Sequence, residues 1–363
     1  MYNVKILGAG SIGNHLAHAS RRMGWDVTMC DLDPAALQRT KKEIFPARYG
    51  QWDESIRLCT NEEAPRDGFD LIFIGTPPDS HMDLAIRAIA EKPQAVLVEK
   101  PLCTPELERA DELLKLAHQT GVQVFVGYNH VVSMVAEKAV ELIPQIGPTE
   151  TLDVEFREHW GGIFTAHPWL DGPQDTYLGF WQKGGGASGE HSHAINLWQH
   201  LAHSLKTGRV TEVSASLEYI KTATVDYDKL CLLNLKTENG LFGRVVQDVV
   251  TKPARKWGRI QGKDGYIDLT IGAEDRLVWQ SGKGQQEEVV FKKTRPDDFI
   301  AELKHLQTAL EGGAKESPLG LECGLDTMLV VAAAHLANRH GQKVLIDYNK
   351  GYSLNALTLD SSR

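Results

Sequence analysis

The first third of the chain alternates short apolar runs with amphipathic, helix-like segments. Val4, Ile6 and Leu7 form a first strand, a helix follows over 14–23, and a second strand covers 25–31. Further strands are predicted at Leu71–Ile74, 95–102 and 122–129, with helices over 82–90 and from an N-cap at Thr104 to Gly121. Because strands that are apolar on both faces alternate with helices, the pattern predicts an α/β fold with a parallel sheet.

Length, charge and cysteine content narrow the class of protein. A chain of 363 residues is long for one core, which predicts two domains. Its formal net charge is −9 and the basic residues are scattered, which argues against nucleic acid or a membrane surface as partner. No apolar run approaches the roughly 20 residues of a membrane span. The five cysteines form no C-x-x-C pair, as in reduced cytosolic proteins. We expect a soluble, cytoplasmic protein.

The first strand runs directly into the glycine motif "GAGSIG", from Gly8 to Gly13. Gly8 permits a tight turn, Gly10 lets the backbone approach a pyrophosphate, and Gly13 lets the helix pack closely on the strand. Together with Ser11 and Ile12, these residues open a helix whose free N–H groups favour phosphate. The strand and helix around the motif predict a dinucleotide site.

Asp31 ends the second strand, 18 positions beyond the last glycine of the motif. A carboxylate there accepts hydrogen bonds from ribose hydroxyls and repels a 2′-phosphate, and the next residues supply no arginine. NAD is therefore favoured over NADP as the cofactor. The alternative is that Asp31 only caps the turn that contains Asp33 and Pro34.

Ligands of a parallel sheet lie off the carboxyl ends of its strands. Several polar or turn residues follow strands here and are expected to meet the dinucleotide in one crevice: Thr76, Pro77, His81, Glu99, Lys100, Tyr128 and Asn129.

The stretches "TPPDSH" and "EKP", with the glycine motif, resemble the glucose–fructose oxidoreductase / inositol dehydrogenase / MocA (Gfo/Idh/MocA) family. The string "VGYNHVVS" is similar to the family's strand exit "GYNRRFS", with His130 where Arg is usual. The resemblance covers nearly the whole chain. It implies a Rossmann domain over 1–128 and, over 129–363, an α/β domain with an open, mostly antiparallel sheet for substrate binding and oligomerisation.

The resemblance also implies hydride transfer between a nicotinamide and a secondary alcohol or ketone, for which a proton must move as well. Lys100 stands where the family's lysine orients the substrate hydroxyl and assists proton transfer. A structural alternative is an ordinary strand-end lysine paired with Glu99.

The string "GGGASGEHSHAINLWQHL", from Gly184, allows three interpretations. It does not match a phosphate-binding loop, because Lys183 precedes the glycines instead of following them. A zinc site is unsupported, because His191 and His193 lack the i, i+4 spacing and no cysteine is near. We therefore expect no metal, and the string matches the family's catalytic segment.

Within that segment the family's acidic residue and histidine are four apart, whereas Glu190 and His193 are three apart. That spacing still places both on one helical face. His193 is the expected general base or acid, Glu190 its companion, and Asn196 a substrate contact. On a continuous helix His191 would point roughly 200° away from His193. If the segment is not helical there, His191 is the alternative catalytic histidine.

Aromatic and polar residues interleave between 156 and 186, with Trp160 among them. Such a mixture suits a carbohydrate, whose C–H faces pack on rings, and equally a sheet-edge core or a subunit interface. The segment is loop-like and is expected to form a lid or an oligomer arm.

These observations predict an NAD-dependent dehydrogenase or reductase acting on the CH–OH group of a sugar, an inositol-like polyol or a sugar derivative. Two alternatives are an NAD-dependent glycoside hydrolase or eliminating enzyme that uses transient oxidation at C3, and a non-catalytic NAD sensor. The expected assembly is a homodimer or homotetramer formed through the open sheet face, which would otherwise expose apolar surface.

Overall fold

The computed structural model describes residues 1–165, 167, 169–312 and 316–361. Its first sheet has six strands, all parallel, in the order β3-β2-β1-β4-β5-β6. This is the strand order of a dinucleotide-binding Rossmann sheet, and it confirms the predicted fold class. The strands are β1 Asn3–Leu7, β2 Asp26–Asp31, β3 Arg57–Thr60, β4 Leu71–Ile74, β5 Ala95–Val98 and β6 Gln123–Val126.

Strands β4 and β5 consist only of buried apolar residues, since helices cover both faces of this sheet. These helices are α1 Ser11–Arg22, α2 Pro34–Arg39, α3 Phe45–Tyr49, α4 His81–Ala90 and α5 Ala110–Thr120. A π-helical turn, Thr40–Ile44, joins α2 to α3. Helix α5 begins six residues later than its predicted N-cap at Thr104. Leu107 and Arg109 adopt positive φ angles of 57° and 60°, which interrupt a right-handed helix.

The second sheet has ten strands in the order β14-β13-β12-β11-β7-β10-β9-β8-β15-β16. Only β7 and β10 pair in parallel; the other neighbours are antiparallel. The predicted open, mostly antiparallel sheet is thereby confirmed. Its strands are β7 Thr149–Arg157, β8 Val210–Lys221, β9 Asp226–Thr237, β10 Phe242–Asp248, β11 Arg255–Gly262, β12 Gly265–Thr270, β13 Glu274–Ser281, β14 Glu287–Lys292, β15 Val344–Ile346 and β16 Leu357–Leu359.

The remaining helices are α6 Met134–Leu142, α7 Trp160–Thr165, α8 Gly186–Glu190, α9 His193–Ser204, α10 Arg295–Gly312 and α11 Leu321–His340. Helix α9 lies on β7, and α11 lies on β8 and beside α9, so they cover one face of the second sheet. The chain then returns to the first domain: Val126 donates its backbone N–H to the carbonyl of Leu319 at 2.7 Å. Helix α10 packs on α1, which brings its first turn to the glycine motif.

No helix among the described residues combines the length and the apolar character needed to cross a membrane.

Candidate active site

The glycine motif forms the turn between β1 and α1, and each glycine has a distinct environment. Gly8 has a φ of +103°, which only glycine adopts readily. A Cβ on Gly13 would lie 1.9 Å from the Gly8 carbonyl oxygen, so the helix packs against the turn at backbone distance. A Cβ on Gly10 would have no atom within 4 Å. The backbone at Gly10 is therefore open to a ligand, as a pyrophosphate requires.

Asp31 is held beside this turn by two backbone groups. Its Oδ2 accepts a hydrogen bond from Ala9 N at 2.7 Å, and its Oδ1 accepts one from Asp33 N at 2.9 Å. The carboxylate therefore caps its own turn, as in the structural alternative. It also lies at the strand end where a ribose carboxylate belongs.

A cavity of about 1000 Å³ extends from the glycine turn into the second domain. Gly10, Ser11 and Ile12 line one end of it, and Thr76 and Pro77 lie beside them. Lys100, Glu190, His191 and His193 line the same cavity. The structure thus brings the predicted catalytic residues and the phosphate-binding turn into one space.

Lys100 and Glu190 form the central ion pair of the cavity. The Lys100 ammonium donates to the Glu190 Oε2 at 3.0 Å and to the Glu190 backbone carbonyl at 3.2 Å. Burial is the largest single effect and opposes ionisation of Glu190, but the charge and hydrogen bond of Lys100, together with His191 and Lys256, outweigh it and lower the pKa of the Glu190 carboxyl. Glu190 is therefore ionised, and it fixes the position of the Lys100 ammonium.

Both histidines of the glycine-rich segment face the cavity, against the expectation that His191 points away. A continuous helix would have separated them, but α8 ends at Glu190 and α9 begins at His193, with a turn between. Burial lowers the pKa of His193 well below its usual range and that of His191 to about 4. Both rings are neutral at neutral pH and can each accept a proton.

The ring of His193 is oriented by its neighbours. Tyr128 meets it edge-on at a centroid distance of 5.5 Å, and His130 lies 4.4 Å away. The Tyr128 hydroxyl in turn donates to Ser192 Oγ at 3.2 Å. The Nδ1 of His193 is buried and has no hydrogen-bond partner among the residues that the structure describes. Tyr128 thus supports the site from behind the cavity wall.

Glu99 lies below Lys100, at the carboxyl end of β5. Its carboxyl group is buried against Gly127, where a Cβ would come within 2.9 Å of the carboxyl carbon. Glu99 Oε2 accepts from the backbone N–H of Lys100 at 3.3 Å. Burial raises the pKa of Glu99 to about 7, against the opposing charge of Lys100. The lysine side chain pairs with Glu190, so a simple Lys100–Glu99 side-chain pair is not what the structure shows.

The fold brings to the cavity several charged groups that the sequence did not indicate. Lys256 on β11 reaches the cavity and pairs with Glu158 at 2.8 Å. Arg48 donates to Ser11 O and to Ser11 Oγ, both at 2.8 Å, and so braces the start of α1. No short motif marks these residues, because strand pairing and helix packing bring them to the site from distant parts of the chain.

The segment after α7 forms a wall of the cavity; its role as a lid or an oligomer arm stays a prediction. Its lining side chains include Trp169, Tyr177 and Phe180. Burial, followed by the charge of Glu190, raises the pKa of the Tyr177 hydroxyl. The aromatic mixture noted in the sequence is therefore divided between this wall and the core.

Five predicted contacts lie behind the cavity wall rather than on it. Each has a buried side chain surrounded by protein: His81, Tyr128, Asn129, Trp160 and Asn196. The His81 ring lies between the carbonyls of Thr76 and Pro101. Asn196 donates to Thr327 Oγ1 at 3.1 Å, and Trp160 packs on Phe164 and Tyr227.

In the part of the chain that the structure describes, no group of three or more His, Cys, Asp or Glu side chains is placed to hold a metal ion.

Several solved structures share this fold across nearly the whole chain. An oxidoreductase from Agrobacterium radiobacter, in complex with NAD+, L-tartaric acid and magnesium, is 19% identical with a TM-score of 0.75, covering 95% of this chain and 98% of its own. An aldose-aldose oxidoreductase from Caulobacter crescentus, complexed with glycerol, is 18% identical with a TM-score of 0.74, covering 95% of this chain and 99% of its own. The WlbA dehydrogenase from Bordetella pertussis, in complex with NADH and UDP-GlcNAcA, is 19% identical with a TM-score of 0.69, covering 95% and 98%. At these identities the likeness shows the fold.

No curated protein matches the sequence. The family comparison does: residues 2–128 match the model of the Gfo/Idh/MocA oxidoreductase family, described by its NAD-binding Rossmann fold. The match covers the six-stranded sheet and the glycine turn described above. Over residues 2–128 the resemblance noted in the sequence is thereby confirmed, and this part of the chain matches an oxidoreductase family with an NAD-binding Rossmann fold.

Proposed function

We propose that the protein is an NAD-dependent oxidoreductase that transfers a hydride between the nicotinamide and a secondary hydroxyl or ketone of a sugar, a polyol or a sugar derivative. One observation carries the proposal. A lysine held by a carboxylate and a neutral histidine line the same cavity as the open backbone of Gly10. Secondary-alcohol oxidation needs such a pair of polar groups next to the hydride acceptor.

The residues of the glycine turn fit a dinucleotide. Gly10, Ser11 and Ile12 would hold its pyrophosphate, and Asp31 its ribose hydroxyls. When bound, the nicotinamide supplies the hydride acceptor or donor.

Lys100 would orient the substrate oxygen. An ammonium group has three N–H donors, and two of these are directed to Glu190. The third remains for a substrate hydroxyl or ketone oxygen. Because Glu190 fixes the ammonium, the substrate oxygen is bound at a defined position with little further ordering cost.

His193 would take the hydroxyl proton during oxidation and return it during reduction. Its lowered pKa keeps the ring neutral, so an acceptor nitrogen is available at neutral pH. The packing of Tyr128 and His130 holds the ring in one orientation. His191 lines the same cavity and is the second candidate for this step.

The sugar-like substrate class is supported by the cavity and by the relatives. Its wall mixes aromatic rings with polar groups, which suits a polyhydroxylated ligand. Solved structures of the same fold include an aldose-aldose oxidoreductase and a levoglucosan dehydrogenase.

The test is NADH formation from NAD+ with a panel of sugars, inositols and nucleotide-linked sugars. Lys100→Met and His193→Ala are expected to lower kcat by a factor of about 100 or more, the usual size of a general acid–base contribution. The NADH dissociation constant should change little, because neither side chain belongs to the glycine turn. Lys115→Met, an exposed lysine on α5, is the matched control and should retain full activity.

Several outcomes would contradict the proposal. Full activity in His193→Ala together with loss in His191→Ala would move the base to His191. Cleavage of a glycoside without net NADH would indicate the eliminating enzyme. Intact NADH binding with no turnover of any compound would indicate a sensor.

A further inference from the structure

A second cavity, of about 620 Å³, adjoins the first on the side of the second sheet. The two cavities share His130, Glu158, Lys256 and Arg295. The second cavity continues past these residues to Lys293 and Asp298. A substrate that binds at Lys100 can therefore extend a substituent past His130 into this space.

Among the cations that line the second cavity, Arg295 is the one without a carboxylate partner in the part of the chain that the structure describes. Lys256 pairs with Glu158 at 2.8 Å, and Lys293 pairs with Asp298 at 2.8 Å and with Asp275 at 2.9 Å. Arg295 lies over the ring of Phe299 at 5.7 Å, and among the described residues no carboxylate lies within ion-pair distance of it. Three cationic and two acidic side chains line the second cavity, and Asp275 behind the lining brings a third carboxylate to Lys293. The cluster as a whole is therefore neutral, and Arg295 is the one cation of the lining that lacks a carboxylate partner among the described residues.

His130 lies at the junction of the two cavities, and basic side chains line the cavities around it. The side chain is 8% exposed, and among the described residues its buried Nδ1 has no hydrogen-bond partner. Burial lowers the pKa of His130, and the charges of Lys256, Lys293, Arg295 and Lys100 lower it further. The junction therefore offers a buried, unpartnered ring nitrogen close to the lining cations.

We propose that this junction binds a carboxylate of the substrate, with Arg295 as its main partner and Lys256 and His130 beside it. The proposal rests on the function proposed above and specifies its substrate class: an acidic sugar or polyol, such as a hexuronate. A monoanion matches the one arginine that lacks a carboxylate partner, whereas a phosphate monoester brings close to two negative charges. Arginine is suited to a carboxylate because its planar N–H groups can bind both oxygens.

The test compares matched pairs of compounds on the full-length protein with NAD+: glucuronate against glucose, and galacturonate against galactose. We expect kcat/KM to favour at least one uronate by about tenfold or more, the size of a charge-assisted hydrogen bond. Arg295→Met should reduce that uronate preference by about tenfold, mainly through KM. Arg87→Met, an exposed arginine on α4 away from both cavities, should keep the preference.

Calorimetric titration of the enzyme–NADH complex with the same uronates separates this inference from the proposed function. Uronate binding that Arg295→Met weakens supports the carboxylate site even if no compound reduces NAD+. Turnover of neutral sugars and uronates with equal kcat/KM overturns the carboxylate site and leaves the proposed function standing. A better turnover of glucose 6-phosphate than of glucuronate, or weaker NADH binding in Arg295→Met, also overturns it.

Discussion

The two glycines of the nucleotide turn differ sharply in what a single methyl group would meet. At Gly10 the added Cβ has no atom within 4 Å, and the backbone angles, φ −81° and ψ −162°, are open to alanine. At Gly13 the Cβ would lie 1.9 Å from the carbonyl oxygen of Gly8. That oxygen belongs to the backbone, so relief requires α1 to move off the sheet. The same substitution should therefore separate cofactor binding from stability.

For Gly13→Ala the cost is that of overpacking against the backbone, about 3 kcal/mol. For a domain of this size such a loss lowers Tm by roughly 6–12 °C. Gly10→Ala should keep or slightly raise Tm, because alanine reduces the entropy of the unfolded chain by about 0.4–1 kcal/mol. Its methyl group instead occupies the space that a pyrophosphate needs, which should raise the NADH dissociation constant by about tenfold or more.

Calorimetry of the cofactor-free variants measures Tm, and fluorescence titration measures NADH affinity. Two results would refute the reasoning. One is wild-type NADH affinity in Gly10→Ala, which would place the pyrophosphate elsewhere. The other is wild-type Tm in Gly13→Ala, which would mean that the close contact between α1 and the turn does not exist.

Three further predictions concern the catalytic histidine, the buried glutamate and the sheet face. The lowered pKa of His193 keeps this base neutral, so kcat/KM for oxidation should stay level as pH falls through 6.5, the ordinary histidine pKa. A decline of kcat/KM centred at pH 6.5 or above would count against His193 as the base. Gly127→Ala should displace the carboxyl of Glu99 and lower kcat by about tenfold with NADH affinity retained, and unchanged kcat would contradict this. Leu232, which is 38% exposed on β9, should lie in a homo-oligomer interface. Leu232→Glu should then yield monomers by light scattering, whereas Leu354→Glu, at an exposed apolar residue outside the sheet, should not; an unchanged mass in both would exclude this face.

Local patterns predicted much of the first domain. The glycine turn, β4 and the C-terminal end of α1 follow from apolar runs and from Gly24, whose φ of +77° ends the helix. The helix begins at Ser11, three residues before the predicted start at residue 14. Helix α5 was placed too early, because the backbone of Leu107 and Arg109 is set by tertiary packing rather than by the capping signal at Thr104. Strand β3 was missed, since its four residues, "RLCT", are too few and too polar to show an alternation.

The sequence by itself determined the Rossmann fold, the glycine turn and the identity of Lys100, Glu190 and His193 as the candidate chemistry. These depend on short-range patterns and on strand ends that share one edge of a sheet. Only the tertiary structure decided that Lys100 pairs with Glu190 rather than with Glu99, and that a break between α8 and α9 turns both histidines into the cavity. The physical reason is that the ion pair depends on a contact between distant parts of the chain, and that the glycines of α8 and the polar residues after it carry no pattern that marks where one helix ends. No local propensity records a salt bridge between residues 90 positions apart.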